Sequence, residues 1–229
     1  MKIIGLLSWY EEDVAWLAEC VASAAKLCDH IVAVDGPYVL FPGAIRKPSS
    51  NTEQARVIAS TAAGAGIGCT IHSSNRPWWG NEVEKRDFMF KLGMTFADPG
   101  VDWFLRIDAD EILTTVPVDT RQLLADSDAD VAEVMIWERD DLDSKAPFRC
   151  LFRALPGIGV QQAHYVVTAP TDTGTKVLCG NAVTHRVEPA EPLWDVRLEH
   201  RTRQRSTVRK QLKTDYYARL PDIEKLSAL

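Results

Sequence analysis

Over its first 107 residues the chain alternates short apolar runs with segments of helical period, a rhythm that few folds accept. Ile3 to Leu7 is a continuous apolar run. Asp13 then stands where it can cap a helix whose Val14, Leu17, Val21, Ala24 and Cys28 recur at helical spacing. His30 to Val34 is a second apolar run, closed by Asp35-Gly36-Pro37, which breaks regular pairing. Tyr38 to Ser50 follows neither period and is long enough to be a functional flap. Asn51 and Gln54 suit a capping box for a helix through Ala63, Gly68 to His72 predicts a third strand, Glu82 to Gly93 a third helix, and Trp103 to Ile107 a fourth strand. Such alternation implies βαβ crossovers and a mostly parallel, doubly wound sheet, with ligands bound beyond the carboxyl ends of its strands. The loops after Leu7, Val34 and Ile107 all fall on that edge.

The rhythm changes past Asp110. Asp119 to Leu124 predicts a short helix, Val131 to Trp137 and Cys150 to Phe152 predict strands, and the turn-rich stretch 155 to 195 predicts antiparallel strands with acceptor loops. Arg205 to Arg219 predicts a last helix, with Ser206 as cap, Pro221 as stop and Val208, Leu212 and Tyr216 as its packing stripe. With 229 residues, 46% of them hydrophobic, and no repeat or low-complexity linker, the reading is one α/β domain, 1–229. Its parts are a first half to residue 113, a second half over 114–204, and a C-terminal helix and tail over 205–229. A net charge of -6 argues against wholesale nucleic-acid binding. The five cysteines are dispersed and odd in number, which suggests neither a disulfide framework nor a zinc cage and makes a reducing cytoplasm the simplest compartment. The apolar opening gives way at Glu11, Glu12 and Asp13, too soon for a membrane span, so no integral membrane association is expected.

The chemistry concentrates in Leu105-Arg106-Ile107-Asp108-Ala109-Asp110-Glu111, where an apolar strand delivers two carboxylates to the ligand edge. Hard cations such as Mg2+ or Mn2+ need only one or two protein carboxylates and complete their shell with water and substrate phosphate oxygens. A solvated acidic turn is the bland alternative, disfavoured by the position after a buried strand. Lys85 and Arg86 open a helix, where a cation can meet a diphosphate and Arg can do so with two parallel donors. Adjacent helical residues diverge by about 100°, so one of the two is expected to reach, and Arg86 is favoured.

Together these motifs resemble a GT-A-fold glycosyltransferase of the family 2 kind. The resemblance rests on Ser8-Trp9-Tyr10-Glu11-Glu12 after the first strand, Asp35-Gly36 after the second, Gly80-Asn81-Glu82-Val83-Glu84-Lys85-Arg86, Asp108-Ala109-Asp110, and a late His200 followed by Arg205-Ser206 and Tyr216-Tyr217. It implies a Rossmann-like sheet flanked by helices, with a small antiparallel acceptor-side part and a C-terminal helix. It implies that Ser8, Trp9, Tyr10 and Glu11 line the base and ribose of a nucleoside-diphosphate sugar, with a UDP-sugar favoured, and that Asp35 hydrogen-bonds base or ribose. Asp108 and Asp110 would hold Mn2+ or Mg2+, with His200 completing the shell. Seven basic residues between Arg201 and Arg219 could clamp phosphates beside it. By the same resemblance the half to residue 113 would bind the nucleotide-sugar and 114–204 would form the acceptor side, the acceptor hydroxyl belonging to a glycan, a protein or a modified nucleobase.

The proton acceptor is sought in the acidic loop Glu138, Asp140, Asp141 and Asp143, with Asp141 preferred, and His164 is a candidate for bonding the acceptor. Tyr165 stands where the resemblance expects a glutamate, so the base and the stereochemistry stay open. Two other functions compete. A nucleotidyltransferase would need a Gly-rich first loop, which Ser8-Trp9-Tyr10-Glu11 is not. A catalytically silent carbohydrate- or nucleotide-binding module of the same fold would bind without turnover.

Overall fold

The computed structural model describes residues 1–79, 82–162, 166–180 and 185–219. Strands β1 (Ile3–Ser8), β2 (His30–Val34), β3 (Gly68–His72) and β4 (Trp103–Asp108) alternate with helices α1 (Val14–Ala24), α2 (Thr52–Gly64) and α3 (Val83–Met94), as the periodicity predicts. The caps form locally. Asp13 accepts from the N–H groups of Ala15 and Trp16, and Asn51 accepts from Gln54 N–H. The reciprocal half of the expected capping box is absent: the Gln54 side chain instead accepts from Glu12 N–H, tying α2 to the loop after β1.

The remaining elements are β5 (Glu111–Thr115), α4 (Thr120–Asp126), β6 (Val131–Glu138), β7 (Asp141–Arg153), β8 (Gly159–Gln162), β9 (Val166–Thr171), β10 (Gly174–Cys179), β11 (Glu191–His200) and α5 (Thr207–Tyr217). Where the sequence suggests a strand over Cys150–Phe152, β7 runs for 13 residues as one arm of a hairpin with β6. Its outer part is largely exposed, and the apolar run marks only the buried end.

The main sheet has the order β3-β2-β1-β4-β7-β6-β11-β5. β1, β2, β3, β4, β6 and β11 share one direction and β7 and β5 are reversed, so the sheet is mostly parallel. β10-β9-β8 form a small antiparallel sheet, in the stretch where such strands are predicted. The large sheet curls until β5 meets α1, where Leu113 N–H donates to Ser23 Oγ at 3.0 Å and Lys26 Nζ to Leu113 C=O at 3.1 Å.

Alternation along the buried strands feeds two cores. Ile3, Leu7, Ile31, Ala33, Trp103, Leu105 and Ile107 face α1 and α2. Ile4, Leu6, Val32, Val34 and Phe104 face α3 and the small sheet. Gly93 lets α3 approach closely, since a Cβ there would come within 2.9 Å of both Leu6 and Phe104. α5 departs from its expected stripe: Tyr216 is buried and Leu212 half-buried against Tyr10 and Phe41, but Val208 is 70% exposed. No helix among the described residues is long and apolar enough to cross a membrane.

Candidate active site

A cavity of about 380 Å3 runs along the carboxyl edge of the sheet. Strand order sets its layout. Over β2 and β1 the walls are aromatic: Tyr10, Tyr38, Phe41 and Tyr216 pack ring to ring, with centroids 5.7–5.8 Å apart. Cations stand among and beside these rings, Lys85 near Tyr38 and Arg209 near Tyr10 and Phe41, with Arg86 and Arg205 farther along beside the acids. Over β4, β7, β6 and β11 the walls become acidic and apolar, from Asp108, Asp110, Glu111, Ile136, Phe148 and His200.

Of the residues predicted from sequence, Ser8, Trp9, Tyr10, Lys85, Arg86, Asp108, Asp110 and His200 all line this cavity. Lys85 and Arg86 both reach it, although adjacent helical positions diverge, because each extends toward a different strand. Lys85 Nζ donates to the carbonyls of Trp9 at 2.7 Å and Gly36 at 2.8 Å, and lies 5.6 Å from the Tyr38 ring centroid. Burial lowers its pKa to about 7, against the opposing charge of Asp35. Arg86 NH2 donates to both oxygens of Asp108 at 3.0 Å, and its Nε meets Glu82 at 3.3 Å.

Asp108 and Asp110 are held differently. Burial would raise the Asp108 pKa, but the charge and fork of Arg86 keep it low. Asp110 is 2% exposed, and its Oδ2 accepts from Thr202 Oγ1 at 2.7 Å and lies 3.1 Å from Arg205 NH2 and 3.3 Å from His200 Nε2. Burial opposes its ionisation, and these three partners overcome that and hold it well below the carboxylate range. Burial likewise works against a charged His200, yet Asp110, Glu111 and Glu138 raise it to about 9. Glu138 Oε1 faces His200 Nδ1 at 2.8 Å. Glu111, pushed up by burial and by Asp108, sits at about 7 and accepts from Asp108 N–H.

Three predicted residues lie elsewhere. Asp35, 1% exposed, is not a wall of the cavity: its oxygens accept from Gly36 N–H, Ser50 N–H and Ser50 Oγ at 2.6–2.7 Å, so it anchors the flap. Glu11 turns outward at φ 50° to pair with Lys47, and Glu12 lines the cavity in its place. Asp141 begins β7, pairs with Arg203 at 3.0 Å and does not border the cavity, because the hairpin carries it past the sheet edge. His164 lies outside the described residues.

Sequence reasoning missed Glu12, Tyr38 and Phe41 as walls, while Arg205 and Arg209 belong to the basic stretch expected to clamp phosphates. Glu12 Oε1 accepts from Arg205 at 3.1 Å and Arg209 at 3.0 Å, a contact nearly 200 residues apart in the chain. Arg205 Nε and Trp9 Nε1 are buried without a hydrogen-bond partner among the described residues, so two wall side chains carry unmet donors.

The donor set of Asp110 and His200, one carboxylate and one imidazole within 3.3 Å, suits a divalent cation once His200 gives up its proton. Asp108 is turned to Arg86, and among the described residues no group of three or more His, Cys, Asp or Glu side chains is arranged to hold an ion. A scan against models of protein families finds no match to the chain, and a search of curated proteins finds none either.

Proposed function

We propose that the chain is a glycosyltransferase of the GT-A kind, moving a sugar from a nucleoside-diphosphate sugar, a UDP-sugar by preference, to a hydroxyl acceptor. One observation carries this: a single cavity at the carboxyl edge joins an aromatic box to buried cations, Arg205 among them with an unmet donor, and to the acids Asp108 and Asp110. Planar rings suit a nucleobase. Lys85, Arg86 and Arg205 suit a diphosphate, and their charges would stabilise it as leaving group. Hydroxyls of the transferred sugar would find acceptors in Asp110 and Glu111. Mn2+ or Mg2+, held by Asp110 and His200 with phosphate oxygens completing the shell, would supply further charge neutralisation there.

Isothermal calorimetry of UDP, GDP, ADP and their sugars, with Mn2+ and with chelator, tests the reading. Selective binding strengthened by Mn2+ is the expected result. Absence of binding to every member by folded protein would sink it. Asp110→Asn keeps an acceptor for Thr202 but surrenders the charge, and is expected to remove the Mn2+ enhancement. Slow hydrolysis of the donor without acceptor separates an enzyme from a silent module.

A further inference from the structure

His200 ends β11 between two neighbouring strands, β6 and β5, and its backbone is held on both sides. Arg139 N–H donates to the His200 carbonyl at 3.0 Å, and Arg201 N–H donates to the Asp110 carbonyl at 2.9 Å. Only the ring is left to take a direction. Leu193 of β11 stands opposite Val134 of β6, but Arg197 stands opposite Met135, so residues 194–196 are an insertion in the register. That bulge brings His200 level with Glu138, the last residue of β6. There the two side chains meet, with Glu138 Oε1 2.8 Å from His200 Nδ1, and among the described residues Glu138 is the one hydrogen-bond partner of that nitrogen. The other ring nitrogen, Nε2, lies 2.8 Å from Thr202 Oγ1 and 3.3 Å from Asp110 Oδ2. Glu138 is not a wall of the cavity, and its own N–H is tied to Ser144 Oγ at 2.8 Å. Its Oε2 is buried with no hydrogen-bond partner among the described residues. Burying that oxygen costs stability, a cost that pairing β6 with β11 does not require.

We propose that Glu138 positions His200: by accepting from Nδ1–H it turns Nε2 toward Asp110, so that the imidazole offers its lone pair to a divalent cation there. This rests on the cation site of Asp110 and His200 given above. A neutral imidazole has one acceptor nitrogen, and the hydrogen bond made by the other nitrogen decides which it is. With Nδ1–H kept on Glu138, the proton given up is the one on Nε2, beside Asp110. With Glu138 gone, Nε2 can keep its proton on Asp110 Oδ2 and close the position a cation needs. Glu138 thus acts through His200, as a positioning residue, and touches neither cation nor nucleotide.

The test uses the full chain with Mn2+ and UDP, and with Mn2+ and GDP. Pulsed electron paramagnetic resonance of the bound Mn2+ records modulation by a coordinated imidazole nitrogen, and calorimetry records affinity with Mn2+ and with chelator. The parent is expected to show the modulation, and His200→Gln to lack it. Glu138→Met fills similar space without a good acceptor, and should lose the modulation and about 10- to 100-fold in Mn2+ affinity while nucleotide affinity in chelator holds. Glu138→Gln still accepts from Nδ1–H and should restore the modulation. Undiminished modulation in Glu138→Met, or in Glu138→Ala should Glu138→Met not fold, overturns the proposal. So does Mn2+ bound with nucleotide in the parent without nitrogen modulation, and so does equal loss in Glu138→Gln; both leave the nucleotide site standing. Failure of the parent to bind UDP and GDP removes the nucleotide-sugar reading and the inference with it.

Discussion

Lys85 is a cation seated in surroundings that disfavour its charge. It is buried, with carbonyl partners and no direct carboxylate contact, and its pKa falls to about 7. The consequence for stability has a definite sign. Below pH 7 the folded protein carries the full cost of a buried ammonium. Between about 7 and the unfolded value of 10.5 the unfolded chain binds a proton that the folded chain lacks, so this residue makes stability rise with pH. Lys85→Met should thus compare best with the parent at pH 6, and its relative stability should decline steadily toward pH 10 in urea titrations. A difference independent of pH would show that Lys85 titrates normally. Sequence alone pointed to Lys85 and Arg86 as alternatives. It could not show that one reaches back to β1 and β2 and the other across to β4, because that depends on where α3 lies over the sheet. Asp35 illustrates the opposite error: an acid at the end of a strand reads the same whether it faces a ligand or, as here, the backbone of its own flap.

At the scale of elements, local signals were dependable and long-range ones were silent. Apolar runs located β1 to β4 closely, and the caps Asp13 and Asn51 marked the starts of α1 and α2, since such signals depend on neighbours in sequence; α3 has no side-chain cap. The hairpin of β6 and β7 was only half visible, because a strand that leaves the core loses its apolar pattern. That projection carries Asp141 away from the cavity. α5 was found by its stripe, yet its polar attachment to the site is Glu12, whose side chain is 7% exposed and joins Arg209 within the helix and Arg205 just before it. Glu12→Ala leaves two largely buried cations without that partner and should cost about 3 kcal/mol. Hydrogen exchange should quicken across 207–217 while β1 and β4 remain protected. Uniform loss of protection throughout the chain would mean that Glu12 supports the whole fold rather than this attachment.

For the whole molecule, the main sheet draws strands from both sides of residue 113. β7 pairs with β4 and β11 pairs with β5, so neither half closes its own sheet. A fragment of residues 1–113 would leave β4 as an unpaired edge and cut β5 short, and should fail to fold by circular dichroism. The full chain should unfold in one transition, coincident by tryptophan fluorescence and far-ultraviolet dichroism. Two resolved transitions would contradict that interdependence. The two long loops at the other end of the sheet are similarly interlocked. Ser50 is fastened to Asp35, and the backbone of Trp78 exchanges hydrogen bonds with Pro37 and Val39 at 2.7–2.9 Å. That side of the site is tied to the sheet through backbone hydrogen bonds, whereas α5 is joined to it through the side chains of Arg209 and Tyr216. Residence time of any bound molecule should therefore follow how often Tyr216 leaves its seat against Tyr38 and Phe41, whatever the strength of the contacts deeper in.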